Sequence, residues 1–382
     1  MPKICNVALI GQKFMGRAHS NAYSQVSHFF DLPRIPHRRL ISARNAAELK
    51  DFAAKWGWQD FTTRWQDIAE NPEIDLVDIG TPNDVHRDQS IAMLEAGKHV
   101  ACEKPLAGTL DDARAMVRAA KKAKKSKTFV WFNYRRCPAV ALAHQLVAKG
   151  KLGDIYHVRA TYLQSWAGPD VPLLWRFKKK IAGSGAHGDL NAHIIDMARF
   201  ITGDEITEIN GAIAKTMVKE RVIPGTKKKG RSDVDDCVLF LTTFKKGAVG
   251  SFEATRLAAG NQNRNTIEIN GSKGSLKFDF EDMNILQFHE GFGGEAGSGW
   301  TRIMCTDANH HPYAANWWPD AHVLGYEHGF VNMAADIMRV LGGKKPTVPM
   351  PDFADAYETQ RVLEASLLSA KERCAIKMSQ VK

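Results

Sequence analysis

The chain has 382 residues, 44% hydrophobic and 25% charged, a composition that fits a two-domain globular protein and excludes disorder as its dominant state. The net charge is +10, but the lysines lie in short runs (Ala120 to Lys127, Lys178 to Lys180, Lys227 to Lys229) with no recognition helix, zinc finger or RNA-binding signature, so solvated faces are favoured over nucleic acid. The six cysteines are scattered without a C-x-x-C pair, and no signal-peptide pattern or membrane-length apolar window is present; the reading is a cytoplasmic chain with reduced thiols, no metal and no membrane partner.

The first element is a short apolar run, Val7 to Ile10, ending at Gly11, with Gly16 five residues on at a helix start. In the full G-x-G-x-x-G fingerprint the first glycine turns the chain, the second admits the pyrophosphate and the third lets helix and strand pack. Here Lys13 stands in the second position. The helix start at Phe14 and Met15 still offers N–H groups and a positive dipole end to phosphates. Taken alone, Gly11 and Gly16 equally fit any strand-to-helix turn, and Lys13 either meets the pyrophosphate or points to solvent.

Four more strand candidates follow: Arg38 to Ser42, Ile74 to Gly80, Lys98 to Glu103 and Lys127 to Asn133. Between them lie helical patterns, one with Ile91, Met93 and Leu94 before Gly97, another starting at Thr109 with Leu110, Ala113, Met116, Val117 and Ala120. Such alternation predicts a doubly wound parallel sheet, with ligands beyond the carboxyl ends of the strands. Those ends carry "GQKFMG", "SARN", "GTPNDVH", "CEKPLAG" and "FNYRR". At the second of them, Ser42 and Arg44 stand where an acidic residue would exclude a 2′-phosphate, so NADP is expected beside NAD. "CEKPL" puts Lys104 at the ligand end, with Pro105 keeping it extended.

Beyond Arg136 the grammar changes. A helix, "PAVALAHQLVAKG", precedes strand-like stretches "IYHVRATYLQSW", "CVLFLTTF", "GAVGSFEATR", "NTIEINGS" and "GSLKFDF", which predict a largely antiparallel sheet. One helix is inserted at Gly188 to Gly203, and two more follow around Tyr326 to Leu341 and Asp352 to Ala370. The expected division is 1–133 and 134–382. The glycine-rich Gly291 to Gly299 lacks the Lys-Ser/Thr of a phosphate loop and reads as a surface loop. Asp189 and His193 fall four apart on one helix face, with Asp196 three further on. The competing reading makes Asp189 a helix cap and His193 a core residue.

The joint pattern resembles the Gfo/Idh/MocA oxidoreductases, the glucose-fructose oxidoreductase and inositol dehydrogenase family, across essentially the whole chain. "GQKFMGRAHSNAY" is similar to the family's nucleotide turn, "GTPNDVH" to its T-P-x-x-x-H loop, "EKPLA" to its E-K-P signature and "GDLNAHIIDM" to its Asp-x-x-x-His helix. "FNYRRCPAVALA", "YLQSW" and "WRFKKKIAGSGAHGD" look closer to the levoglucosan dehydrogenase branch. The resemblance implies an α/β fold: a Rossmann domain followed by an α+β substrate and oligomerisation domain with a large, mostly antiparallel, open-faced sheet. It implies an NAD(P)-dependent dehydrogenase that oxidises a secondary hydroxyl of a sugar, anhydrosugar or cyclitol, or reduces the ketone. Lys104, Asp189 and His193 match its catalytic set.

The resemblance also implies cofactor contacts at Gly11, Lys13, Phe14, Met15 and Gly16, then at Ser42, Arg44, Thr81, Pro82, Asn83 and His86. Glu103, Lys104, Asn133, Arg135, Trp175 and Arg176 complete that set. Tyr134, Arg135, Gln164 and Trp166 join Lys104, Asp189 and His193 around the substrate. A homodimer or homotetramer is expected. Two other functions use the same residues or fold: an NAD-dependent glycoside hydrolase working by transient C3 oxidation and elimination, and a non-enzymatic dinucleotide sensor.

Overall fold

The computed structural model describes residues 2–292, 299–309, 311 and 313–381; most of the glycine-rich stretch, 293–298, lies outside the described residues. The chain divides into two compact units.

The first unit holds Met1–Arg136, Ala315–Trp318 and Leu324–Tyr357, and so differs from a single cut after 133 by taking in a late helix. Its sheet is built from β1 (Lys3–Ile10), β2 (Arg34–Ser42), β3 (Asp60–Thr62), β4 (Leu76–Ile79), β5 (His99–Cys102) and β6 (Thr128–Val130). The order is β3-β2-β1-β4-β5-β6, and every described pairing is parallel. Val7, Ala8 and Leu9 of β1, like Leu76 and Val77 of β4, have no exposed surface. Apolar residues at successive positions are what a strand covered on both faces requires. Because β1 lies between β2 and β4, the strand order reverses there, and the crevice at their carboxyl ends is the expected ligand position. The helices are α1 (Phe14–Phe29), α2 (Ala46–Trp56), α3 (Gln66–Glu70), α4 (His86–Glu95) and α5 (Leu110–Lys122). The Asn45 side chain caps α2 and the Thr109 side chain caps α5, each accepting the N–H three residues on.

The second unit holds Cys137–Ala314, Pro319–Val323 and Glu358–Lys382. It contains α6 (Pro138–Ala148), α7 (Lys179–Ala182) and α8 (Ala192–Thr202); α9 (Tyr326–Leu341) packs with α1 in the first unit, and α10 covers Phe353–Glu372. Its strands are β7 (Ile155–Gln164), β8 (Ile206–Lys215), the hairpin β9 (Glu220–Val222) and β10 (Lys229–Arg231), β11 (Cys237–Phe244), β12 (Val249–Thr255), β13 (Asn263–Gly271), β14 (Gly274–Asp279), β15 (Ile285–Glu290), β16 (Thr301–Met304) and β17 (Ile376–Lys377). Apart from the hairpin they form one sheet, β16-β15-β14-β13-β7-β12-β11-β8-β17, antiparallel except where β12 meets β7. Side chains alternate cleanly on β11: Val238, Phe240 and Phe244 are buried, whereas Leu239 and Leu241 are exposed. Ile213 and Val249 extend that exposed apolar row.

Among the described residues no helix is long and apolar enough to cross a membrane, and no cluster of three metal-ligating side chains is present.

Candidate active site

At the nucleotide turn Gly11 has φ +118°, and its N–H donates to the Ser42 carbonyl at 2.9 Å. A Cβ on Gly11 would lie 2.7 Å from the Gly80 oxygen, and one on Gly16 would lie 2.4 Å from the Gly11 oxygen. Neither approach tolerates a methyl group, so the first and third glycine roles are both in force. The turn fits a dinucleotide in a second respect. The 16-residue helix α1 starts with no side-chain cap and no acidic residue in its first turn, leaving its leading N–H groups and dipole to an anion. Lys13 extends into solvent, its side chain 81% exposed, and pairs with Glu48 of α2, which Gln12 also contacts at 3.1 Å. Phe14 is exposed beside Tyr326, with ring centroids 6.3 Å apart.

Ser42 is buried at the end of β2, and Arg44 is exposed just beyond it. After β4, the Thr81 hydroxyl donates to Gln89 Oε1 at 2.7 Å, while Pro82 and Asn83 lead into a short turn. His86 is turned inward. Its ring is wholly buried, with Nε2 2.9 Å from the Thr81 carbonyl oxygen and Nδ1 3.3 Å from that of Leu106, and burial pushes its pKa down. The imidazole thus ties the Thr81 loop to the segment after Lys104.

Lys104 follows β5, is partly buried, and precedes Pro105 through a cis peptide bond. Glu103 also faces inward: Oε2 accepts the Lys104 backbone N–H at 3.1 Å, and Oε1 lies 3.1 Å from His19 Nε2. Asn133, Tyr134 and Arg135 follow β6 and are all buried. The Arg135 guanidinium forms an ion pair with Asp355, which fixes it within the first unit.

In the second unit α8 is entered through a wide π-type turn, His187–Asn191, in which the Ala192 N–H reaches back five residues to the His187 carbonyl. Such turns often mark functional sites. Capping falls to other residues: Asp235 accepts from the N–H groups of Gly185 (2.8 Å) and His187 (2.7 Å), and Ser184 Oγ accepts from Gly188 (2.9 Å). Asp189 therefore is not the cap. Its carboxylate is 28% exposed and lies 3.5 Å from Nη1 of the buried Arg256. His193 is buried one turn on, its ring 5.9 Å from that of Tyr162, and Asp196 is buried on the same helix.

A hydrogen-bonded polar surface adjoins this helix. The Tyr162 hydroxyl and Gln164 Nε2 both donate to Asn263 Oδ1, at 2.7 and 2.6 Å, and Trp166 Nε1 donates to Gln164 Oε1 at 2.8 Å. The Arg256 guanidinium lies 5.2 Å from the Trp166 ring centroid. Trp175 and Arg176 pair with each other, guanidinium over ring at 4.5 Å. The second unit thus brings Gln164, Trp166, Asp189 and His193 into one region. Sequence reasoning missed Asp235, Arg256, Tyr162 and Asn263, and it missed His19 and Asp78 in the first unit. The last two carry a signal. Gly16, His19, Ser20 and Tyr23 form one buried stripe at helical spacing, and Asp78 interrupts an otherwise apolar strand.

Comparison with known proteins agrees with this geometry. Residues 5–132 match the model of the oxidoreductase family with an NAD-binding Rossmann fold, and residues 140–277 match the GFO/IDH/MocA C-terminal domain. The chain is 40% identical to levoglucosan dehydrogenase of Pseudarthrobacter phenanthrenivorans, over 98% of both chains. An oxidoreductase domain protein from Kribbella flavida superposes with TM-score 0.94 at 48% identity, covering 99% of this chain and 100% of that one. A levoglucosan dehydrogenase solved in complex with NADH and levoglucosan superposes with TM-score 0.92 at 40% identity, covering 98% and 99%. The expected fold class, NAD-binding domain and oxidoreductase character are all borne out: this chain belongs to the Gfo/Idh/MocA oxidoreductase family.

Proposed function

We propose that the protein is an NAD(P)-dependent dehydrogenase that oxidises a secondary hydroxyl of a sugar, anhydrosugar or cyclitol, or reduces the matching ketone. The observation that carries this reading is the joint presence of Lys104 at the end of β5 and of Asp189 and His193 on the α8 segment, in a chain 40% identical over nearly its whole length to levoglucosan dehydrogenase. When bound, the nicotinamide supplies the hydride acceptor. Lys104 hydrogen-bonds the reacting oxygen, His193 takes the hydroxyl proton, and Asp189, held by Arg256, orients the substrate or the imidazole. Gln164 and Trp166 offer an amide and a ring face suited to hydroxyls and to the apolar side of a pyranose, with Tyr134 and Arg135 as the remaining substrate contacts.

Gly11, Phe14, Met15 and Gly16 would hold the dinucleotide phosphates, with Lys13 beside them. Ser42 and Arg44 would meet the adenosine ribose, and Thr81, Pro82, Asn83, Glu103 and Asn133 would border the rest of the cleft. Trp175 and Arg176 are the remaining proposed cofactor contacts. The test is a scan of reduced-nucleotide fluorescence over anhydrosugars, aldoses, cyclitols and glycosides. Turnover with at least one free sugar or cyclitol is expected; silence across the panel with both dinucleotides would refute the reading.

Cofactor choice follows from the end of β2. Glu48 is engaged by Lys13, Gln12 and Asn45, and exposed Arg44, two residues beyond β2, would pair with a 2′-phosphate. NADP is expected to bind at least as tightly as NAD, and Arg44→Ala to weaken NADP alone by about tenfold, the size of one charge-assisted hydrogen bond. Titration of both dinucleotides measures this; a strong NAD preference unchanged in Arg44→Ala would contradict it.

Assembly follows from the outer face of the large sheet. Ile213, Leu239, Leu241 and Val249 are exposed there, as a face that pairs with a second copy would require. A homodimer or homotetramer is expected by light scattering at micromolar protein, with Leu241→Glu shifting it toward monomer. A monomeric wild type would overturn this.

A further inference from the structure

Beneath the Lys104 loop lies a buried ionic cluster whose members His19 and Asp78 no step above uses. His19 of α1 has no exposed surface; its ring stacks on Trp131 with centroids 4.1 Å apart and meets Phe330 at a tilt with centroids 5.7 Å apart. Nδ1 lies 3.1 Å from Asp78 Oδ1, and Nε2 lies 3.1 Å from Glu103 Oε1. Asp78 also accepts from the Tyr23 hydroxyl at 2.8 Å and from Trp131 Nε1 at 3.0 Å. Glu103 passes the chain of contacts on, through Oε2, to the Lys104 backbone N–H.

Resting on the role given to Lys104 above, we propose that His19 is a positioning residue for that lysine: clamped between Asp78 and Glu103, it locks Glu103 in place, and Glu103 in turn fixes the backbone from which Lys104 projects. A neutral imidazole carries one N–H and would face one of the two carboxylates with a lone pair. Only the doubly protonated ring donates to both. Of the ionisable groups at the ring, Asp78 comes from β4 and Glu103 from the end of β5, while the flanking residues Trp131 and Phe330 are neutral. Burial alone would lower the pKa of His19, but the two carboxylates overrule it and raise it to about 9. The clamp also ties together two parts of the nucleotide domain. His19 lies five residues into the helix whose N-terminus would face the phosphates, and Lys104 lies two residues beyond β5.

The test uses Glu103→Gln, which keeps the side-chain shape. Its amide oxygen still accepts the Lys104 N–H, while its NH2 donates to a neutral His19, so no buried group is left unpaired. In the full-length protein, Glu103→Gln is expected to lower turnover by about tenfold or more by loosening the lysine, and by less than about twofold when Lys104 is already alanine. Nitrogen NMR of labelled histidine is expected to show both His19 nitrogens protonated at neutral pH in the wild type, and one in Glu103→Gln. Equal losses from Glu103→Gln in both backgrounds overturn the positioning role alone, and a singly protonated wild-type His19 overturns the clamp. Near-normal turnover in Lys104→Ala by itself overturns the reading of the lysine, and the positioning role with it.

Discussion

Replacing Lys104 with alanine is expected to lower turnover by about a hundredfold to ten-thousandfold, the range typical of a positioned acid or base, while dinucleotide affinity stays within a few-fold. The same result is expected for His193→Ala. The expectation follows from where the two residues stand. Lys104 is partly buried directly after β5, at the ligand end of the parallel sheet. His193 is buried on α8, one turn beyond a carboxylate that a buried arginine holds. Neither belongs to the phosphate turn, so a change in dinucleotide affinity larger than a few-fold would point to a binding role. Steady-state kinetics with direct dinucleotide titration separates the two. A variant that retains near-normal turnover on the true substrate removes that residue from the acid-base set.

The second large effect is on stability at alkaline pH. His19 is wholly buried, and its pKa rises from the ordinary 6.5 to about 9. A histidine raised in this way contributes stability that is fully present below 6.5 and lost as pH climbs through about 9. At about 1.4 kcal/mol for each pH unit, the contribution amounts to about 3 kcal/mol. Wild-type thermal midpoints are therefore expected to fall as pH rises from 6.5 through about 9, most steeply midway in that window, and to level off above it. In Glu103→Gln the amide NH2 facing Nε2 favours the neutral ring and only Asp78 is left to raise the pKa, so a flatter curve is expected across that window. Parallel curves for the two proteins would contradict the assignment.

Much of this architecture was legible in the residues themselves. The alternation of apolar runs with amphipathic stretches predicts the parallel sheet, and the late helix expected at Tyr326 to Leu341 is α9 to the residue. Elements without periodicity were missed. β3 is three residues, Asp-Phe-Thr, and β8 carries a glycine and mostly half-exposed or exposed positions. β2 begins at Arg34, earlier than its apolar end suggests, because its first half is charged and contains Pro36. At the candidate site the local motifs could be read from the sequence, whereas the distant pairings could not. Nothing in "GSFEATR" marks Arg256 as the partner of Asp189, 67 positions away along the chain. The cap reading of Asp189 fails for the same reason, since Asp235 reaches that helix start from a distant loop. The inward turn of Glu103 and His86 likewise depends on neighbours brought together only by the fold.

The most direct test of the central claim is the stoichiometry of hydride transfer with a sugar that turns over. Purified protein, excess oxidised dinucleotide and a limiting amount of substrate are incubated to completion, and both the reduced dinucleotide and the carbonyl product are quantified. A dehydrogenase is predicted to form one reduced dinucleotide for each ketone. Cleavage of a glycoside with only catalytic dinucleotide, no net reduction and solvent deuterium entering at C2 would contradict it and establish transient C3 oxidation in its place.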